Sequence, residues 1–446
     1  MMKLKNIMFV LSLAFVIQTA TAQKKIEMNL KQCLDMALQN DQRVKTSEME
    51  QTRLKYQKNQ SIGAGLPQIS ASGTFQDYLK LPTQLLPGEI FNQPGTLIPV
   101  KFGTNYNMSG SIQVSQLIYN QSYLVSLQIS KRMIEQGKLD LEKNRQSTIY
   151  DVAQLYYMAV STDQQTKYLM ETLKKLDTLT SITQVQLDKQ MIKQVDFDRV
   201  NVNRTNLQTE VSNLNLMYTQ QLNLIKYFTG LAPEDSVVLT TTVFDKKLLE
   251  VPVVNTENHI SLREIDKQKE LMNLQMGMVR SQCIPSLAAF GDFSSNSQQN
   301  VFGKLFSESK SWLGTSLVGL SLNVPIFSGT QRYFQLKQYK IQYQELNLNR
   351  YYVKKYLETG TRNALIKVQS LEQTTGSQNR NVTLADNVYK VIFDQYSQGY
   401  ASLTDLLSAE NDKIAAQSAY AQTLVQLRVA ELDLYKSNGN LMDILK

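Results

Sequence analysis

The chain has 446 residues, 42% of them apolar, and a formal charge of +8. Its 47 Lys and Arg residues are scattered rather than gathered into runs, which reads as solvated helix faces and excludes a nucleic-acid footprint. No stretch is apolar over the roughly 20 residues that a membrane helix needs, which excludes an inner-membrane transporter but not a β-barrel, whose alternating strands escape hydropathy.

Taken in order, residues 1–22 read as a secretory signal peptide. Lys3 and Lys5 give a basic start, Ile7 to Ile17 is mostly apolar, and Ala20-Thr21-Ala22 is a small-residue cleavage site before Gln23. Loss of the two lysines takes the charge from +8 to +6. A first repeat is expected over 23–230: a helix near 27–61, a β-hairpin at about 66–118, and a long helix pair at about 120–229. A partly extended linker, 231–258, holds Pro233 and Pro252. The second repeat, 259–446, has the same order: a helix near 259–282, a hairpin at about 285–325, and a helix pair at about 327–438.

The duplication rests on constant offsets. Gly230 and Gly439 close similar segments 209 residues apart, and Val195-Asp196-Phe197 matches Thr404-Asp405-Leu406 at 209 again. Tyr119-Asn120 matches Phe327-Ser328 at 208, and Leu66-Pro67 matches Ile284-Pro285 at 218. The first copy therefore has the longer loop between its strands, near Leu79–Thr104. Two copies are too few for a solenoid.

In the strands, Ile69, Ala71, Gly73 and Phe75 alternate with Ser70, Ser72, Thr74 and Gln76. Met108, Gly110, Ile112 and Val114 alternate with Ser109, Ser111, Gln113 and Ser115, and Val318, Leu320, Leu322 and Val324 with Gly319, Ser321 and Asn323. The strand at Leu287–Ser294 shows the weakest pattern. Period-two alternation sets one face in an apolar medium and the other against water. An ordinary soluble sheet with one wet face fits the same pattern. Four strands leave two open edges, which lipid does not tolerate, so entry into a membrane demands a barrel shared between chains; three chains give twelve strands.

Between Gln121 and Lys189 there is no proline and only Gly137 as glycine; between Tyr333 and Gln398, glycine occurs only at Gly360 and Gly376. Such helices, near 65 residues, would span about 100 Å and belong to coiled coils or helical assemblies. The apolar stripe Ile149, Val152, Ala153, Tyr156, Ala159, Val160, and the stripe Leu207, Val211, Leu214, Tyr218, Leu222, Ile225, step by three and four. Cys33 and Cys283 match no zinc spacing, and whether they pair stays open. His259, the single histidine, reads as a polar residue at a helix start. No catalytic constellation, metal set or cofactor motif stands out, so no enzyme is expected.

Signal peptide, duplication, paired strands and paired long helices together resemble the TolC-like outer-membrane efflux protein family over nearly all of the mature chain. The sharpest match runs from Tyr396 through Gly399, Asp405 and Ala409 to Glu410, with Val324-Pro325-Ile326-Phe327-Ser328-Gly329 resembling the family's strand-to-helix junction. The resemblance implies a mainly α fold with short β-strands, assembled as a homotrimer with a twelve-stranded outer-membrane β-barrel and a periplasmic α-helical barrel. It implies an exit duct of a tripartite efflux system, porin-like in being passive. The duct would work in outer-membrane lipid with a periplasmic adaptor (membrane fusion) protein and an inner-membrane pump. A duct for type I protein secretion is an alternative, and a periplasmic coiled-coil structural protein is one of another class.

The helix-turn tips fall at Gln190–Val195 and Gly399–Thr404. Gly399 suits a left-handed helix end, and Ser402 or Thr404 is placed to cap the returning helix. Asp196 and Asp405 fall in first helical turns, where the dipole alone favours a carboxylate by about 0.3–1 kcal/mol. By the resemblance they also ring a periplasmic constriction, with Tyr396 beside it; no motif places Asp198 there, though it stands near Asp196. Ala401 stands where the family prototype has arginine and Ser408 where it has an acid, so no Arg–Asp lock is expected.

Overall fold

The computed structural model describes residues 25–240, 256–307 and 312–445. The expected signal peptide, and the part of the linker that holds Pro252, lie outside them. The described residues form β1 (Lys25–Met28), α1 (Leu30–Asn40), α2 (Gln42–Gly63), β2 (Gln68–Asp77), β3 (Thr83–Pro87), β4 (Leu97–Lys101) and β5 (Tyr106–Tyr119). Then come α3 (Gln121–Asp188), α4 (Gln194–Thr229), β6 (Ser236–Leu239), α5 (Ile260–Ser281), β7 (Ser286–Gln299), the single turn α6 (Lys304–Ser307), β8 (Trp312–Asn323), α7 (Gln331–Ser397) and α8 (Leu403–Asn438). Two compact units cut across the two repeats, each drawing on both.

The larger unit, 1–49, 138–264 and 350–446, is mainly helical. Its central core joins α1, α3, α4 and α8 with a two-stranded parallel sheet, β1 beside β6. Ile149, Val152, Ala153, Tyr156, Ala159 and Val160, the stripe expected from spacing, are all fully buried there. Tyr156 donates its hydroxyl to the Thr240 carbonyl at 2.8 Å, tying α3 to the end of β6. Smaller clusters continue the packing, including Leu169, Leu176, Val200, Leu207 and Leu407.

The helix expected near 27–61 is two helices preceded by a strand. Asp41 breaks it with an extended ψ of 129°. Its carboxylate accepts from the Arg43 backbone at 2.6 Å and from the Thr148 hydroxyl at 2.9 Å, while the Arg43 guanidinium pairs with it at 2.9 Å and with Asp151 at 2.8 Å. Asp41 thus offers the backbone a local alternative to helix. These bonds outweigh its burial and hold its carboxyl below the usual carboxylate range.

His259 is buried rather than merely polar at a helix start. Its Nδ1 accepts from the Ser261 N–H at 3.2 Å, which leaves Nε2 to donate to the Lys436 carbonyl at 3.1 Å at the end of α8. Burial lowers its pKa, in keeping with a neutral ring. Both cysteines are free, Cys33 buried and Cys283 exposed.

The smaller unit, 50–137 and 265–349, holds an antiparallel sheet in the order β2-β5-β7-β8. The seam between repeats is the β5–β7 pair. The longer first loop carries its own hairpin, β3 with β4. The helical part is tied by Lys267, paired with Glu135 at 3.0 Å and Glu270 at 2.8 Å. Arg132 and Lys267 together pull Glu135 down to about 2.

The duplication recurs at the backbone. α4 and α8 each have 36 residues, and their bounds lie 209 apart. α2 and α5 each have 22 residues, with bounds 218 apart. Gly230 and Gly439 both end their helices in the left-handed region, at φ 73° and 80°.

Candidate functional site: the helix tips and the two-faced sheet

At the tips, α3 and α7 end alike. Met191 N–H reaches the Gln186 carbonyl and Tyr400 N–H reaches the Gln395 carbonyl, both at 2.8 Å. Each is the long-range bond of a Schellman ending, which needs a left-handed residue just before it. Gly399 supplies it at φ 81°, and Gln190 does the same at φ 57°. The missing glycine in the first copy therefore changes the strain and not the turn.

The Ser402 expectation holds. Its side chain accepts from Asp405 N–H at 3.1 Å, and the Asp405 carboxylate accepts from Ser402 N–H at 3.2 Å and from its hydroxyl at 2.6 Å. This is a reciprocal capping box with Asp in the third position. The bonds from Ser402 lower the Asp405 pKa. Asp405 is solvent-exposed, but its carboxylate is turned onto its own helix start. Thr404 does not cap. Its hydroxyl accepts instead from Arg199 of α4 at 2.8 Å.

Asp196 lies in the first turn of α4, capped only by the backbone at Lys193. Arg199 stands 3.9 Å from its carboxylate. Tyr396, half-buried against the cluster of Tyr389, Leu406 and Ala409, is raised in pKa by burial and then by the negative charge of Asp196. The structure thus gathers Asp196, Arg199, Tyr396 and Thr404 at the tips. Asp198 stays apart, accepting locally from Gln194 at 2.9 Å. Val195 is exposed.

Sequence reasoning missed two residues here. Arg199 lies one turn beyond Asp196, a spacing at which opposite charges meet on a helix. Glu410 lies on the buried stripe of α8 that starts with Leu403, Leu406 and Leu407; a carboxylate interrupting an apolar stripe was the available signal. It is only 6% exposed. It lines a cavity of about 410 Å³ with Leu176, Asn203, Leu207 and Ile414. Burial raises its pKa to about 7 against the opposing pull of Lys175 and Lys413.

In the sheet, registers align residue types across strands. Ser72, Ser111, Ser294 and Thr315 form one row, and Thr74, Ser109 and Asn296 the next. Hydroxyls bridge β2 and β5 at 2.9 Å in both rows, Ser72 with Ser111 and Thr74 with Ser109. The opposite face carries Ile69, Val114 and Val318 in one row, and Ala71, Ile112 and Phe293 in another. Ile69 is 73% exposed and Val318 91%, so these apolar groups point outward with no cover within the chain. β8 extends beyond the expected stretch, to Trp312, and puts Leu313 and Leu317 on the polar face. Near the loop end of the sheet Phe75, Tyr106, Phe302 and Phe306 form an aromatic cluster with centroids 5.6–6.4 Å apart.

Among the described residues no helix is long and apolar enough to cross a membrane. No group of three His, Cys, Asp or Glu side chains among those residues is arranged to hold a metal.

Comparison with known proteins agrees with this geometry. The family model described as outer membrane efflux protein matches residues 254–440. No curated protein sequence matches the chain. Among solved structures, the Campylobacter jejuni CmeC outer membrane channel is similar at 17% identity and a TM-score of 0.73, over 92% of this chain and 85% of that one. The open-state Neisseria gonorrhoeae MtrE outer membrane channel is similar at 18% identity and a TM-score of 0.70, over 92% and 89%. The outer membrane protein VceC of Vibrio cholerae is similar at 13% and 0.69, over 92% and 96%. Residues 254–440 thus match the outer membrane efflux protein family, and the chain as a whole has the fold of these outer membrane channels.

Proposed function

We propose that the protein is the outer-membrane exit duct of a tripartite efflux system. Three chains share one twelve-stranded barrel, and their helices enclose a periplasmic conduit that meets an adaptor protein and an inner-membrane pump. The observation that carries this reading is the sheet itself. Its outward face is apolar and uncovered, its other face is mostly hydroxyl and amide, broken by Leu313 and Leu317, and among the described residues β2 and β8 are open edges. Lipid tolerates such a sheet only when it is closed, and single-chain bacterial barrels begin at eight strands.

The duct performs no chemistry; it gives substrates expelled by a pump a wet path. At the closed end, Asp196 and Asp405 from three chains form an acidic constriction, with Tyr396 behind Asp196 and the Arg199–Thr404 bond holding the two tips of one chain together. Acidic rings favour cations and hinder anions. Asp198 contributes only a second, outlying charge.

The test uses cysteines at the sheet edges, in a Cys283→Ser background. Paired cysteines scanned along β2 and β8 are oxidised in intact outer membranes. The reading expects a covalent ladder of one, two and three chains that stops at three, and none with cysteines in β2 alone. A ladder that never exceeds one chain at any pair contradicts it.

A further inference from the structure

The chain is basic overall, yet the four strands of the sheet contain no Lys, Arg or His. They hold two ionisable carboxylates, Asp77 at the end of β2 and Asp292 in the middle of β7. Asp77 shares a register row with Tyr106 beside the aromatic cluster and so belongs to the rim. Asp292 is different. It pairs with Gln113 on one side and Leu317 on the other, two positions along β7 from Ser294 of the row Ser72, Ser111, Ser294 and Thr315. It therefore stands on the hydroxyl and amide face, two positions from Phe290, whose ring lies over Gly319.

A carboxylate is a poor strand residue, and nothing compensates this one. Asp292 makes no hydrogen bond or ion pair within the described residues, while hydroxyls on the same face do, Ser72 with Ser111 and Thr74 with Ser109. It is half-exposed, so its charge is neither buried nor neutralised. On the lipid-facing side such a charge would be costly; on the water-facing side it sets a field that no cation of the sheet cancels.

We propose that Asp292 is a charge-selectivity determinant of the membrane-spanning part of the duct, which favours cationic and neutral polar substrates over anions. This rests on the reading of the sheet as one third of a closed barrel. Three copies place one carboxylate each, at one level, in a lumen otherwise lined mostly by Ser, Thr, Asn and Gln. Twelve strands enclose a wider space than the eight that side chains can fill, so the three charges stand far apart and are screened at physiological salt, where the Debye length is about 8 Å. At about 10 mM salt it is about 30 Å, enough for their fields to overlap across the lumen. The selectivity contributed by Asp292 is therefore strongly salt-dependent, unlike that of a tight constriction.

The experiment measures reversal potentials of the trimer in planar bilayers under a KCl gradient, at low and high mean salt. Tip carboxylates are removed by Asp196→Asn and Asp405→Asn in every channel compared, so that the barrel dominates. At about 10 mM salt, Asp292→Asn is expected to lower the K⁺/Cl⁻ permeability ratio about twofold, and Asp292→Lys to bring it to one or below. Near 1 M, where the Debye length is about 3 Å, the three channels should agree. As a check independent of variant folding, Asp292→Cys in a Cys283→Ser background is assembled first and then modified with a cationic methanethiosulfonate reagent. Its ratio should fall during the recording. Unchanged ratios in the variants together with no response of the cysteine channel overturn the proposal. Failure of the parent channel to conduct at all counts instead against the duct reading on which it rests.

Discussion

Arg199 of α4 donates a hydrogen bond to Thr404 of α8 at 2.8 Å while standing 3.9 Å from Asp196 on its own helix. One guanidinium therefore links the first tip to the second. An Arg–Asp lock is not expected from sequence, because Ala401 occupies the place of the family's arginine. The chain supplies a guanidinium from the other copy, and its principal partner is a hydroxyl. Arg199→Ala and Thr404→Val should each raise the open probability of the duct. The double variant should do little more than either alone, since partners in one bond are non-additive. The bond is exposed and contributes about 0.5–1.5 kcal/mol. Single-channel recording of the three variants checks this; fully additive effects would show that the two residues act separately.

Asp196→Asn with Asp405→Asn should weaken cation preference and divalent block at physiological salt. Asp405 already has a structural occupation in the capping box with Ser402. Asn can retain acceptor bonds there, so the double variant separates charge from capping. Unchanged selectivity would leave Asp405 only its role at the helix start.

Ser402→Ala removes that box directly. The loss should destabilise the tip by about 1 kcal/mol, seen as faster amide exchange in 403–406 with little change elsewhere. Equal exchange in the variant and the parent would show the cap to be dispensable.

Glu410 makes the helical part pH-dependent. Its folded pKa, about 7, lies above the usual value of 4.5 because burial disfavours the anion. The charged and titratable neighbours are Lys175 on α3, Asp386 and Tyr389 on α7, Lys413 on α8 and Glu210 on α4. Below pH 4.5 folded and unfolded states both keep the proton. Between 4.5 and 7 the unfolded chain releases it first, so stability from this group falls as pH rises and levels off above 7. The total is on the order of 3 kcal/mol per chain. Glu410→Gln should abolish that slope and be the more stable protein at about pH 8, by denaturant melts in detergent. A parent and variant with the same pH profile would contradict it.

Gln190 occupies a left-handed conformation that its counterpart Gly399 adopts freely. Gln190→Gly should stabilise the first tip by about 1 kcal/mol, and Gly399→Ala should weaken the second by a similar amount, although open space surrounds it. Tip-local amide exchange reads both; faster exchange at the first tip in the Gln190→Gly variant would overturn the argument.

The elements that sequence placed well are those written in a strict period. The constant offset of 209 carried through to helices whose bounds repeat at that spacing, because a duplicated backbone keeps its caps: Gly230 and Gly439 end α4 and α8 alike. The buried stripe Ile149–Val160 followed from steps of three and four. What stayed illegible were features decided by tertiary partners. Asp41 breaks a helix because Arg43 and Thr148 converge on it, and Thr148 lies 107 residues away. The bond between Arg199 and Thr404 crosses from one repeat to the other. β8 reads as a strand only from Val318, since Leu313 and Leu317 break the alternation on its polar face. Glu410 stands inside the family match, but its burial depends on Leu176 of α3 and Leu207 of α4 packing beside it.

Whether three chains share one barrel is decided by extracting the protein from outer membranes and measuring its detergent-corrected mass alongside its conductance in a planar bilayer. A particle of three chains that forms ion-conducting channels is expected. A single-chain particle without channel activity would contradict it.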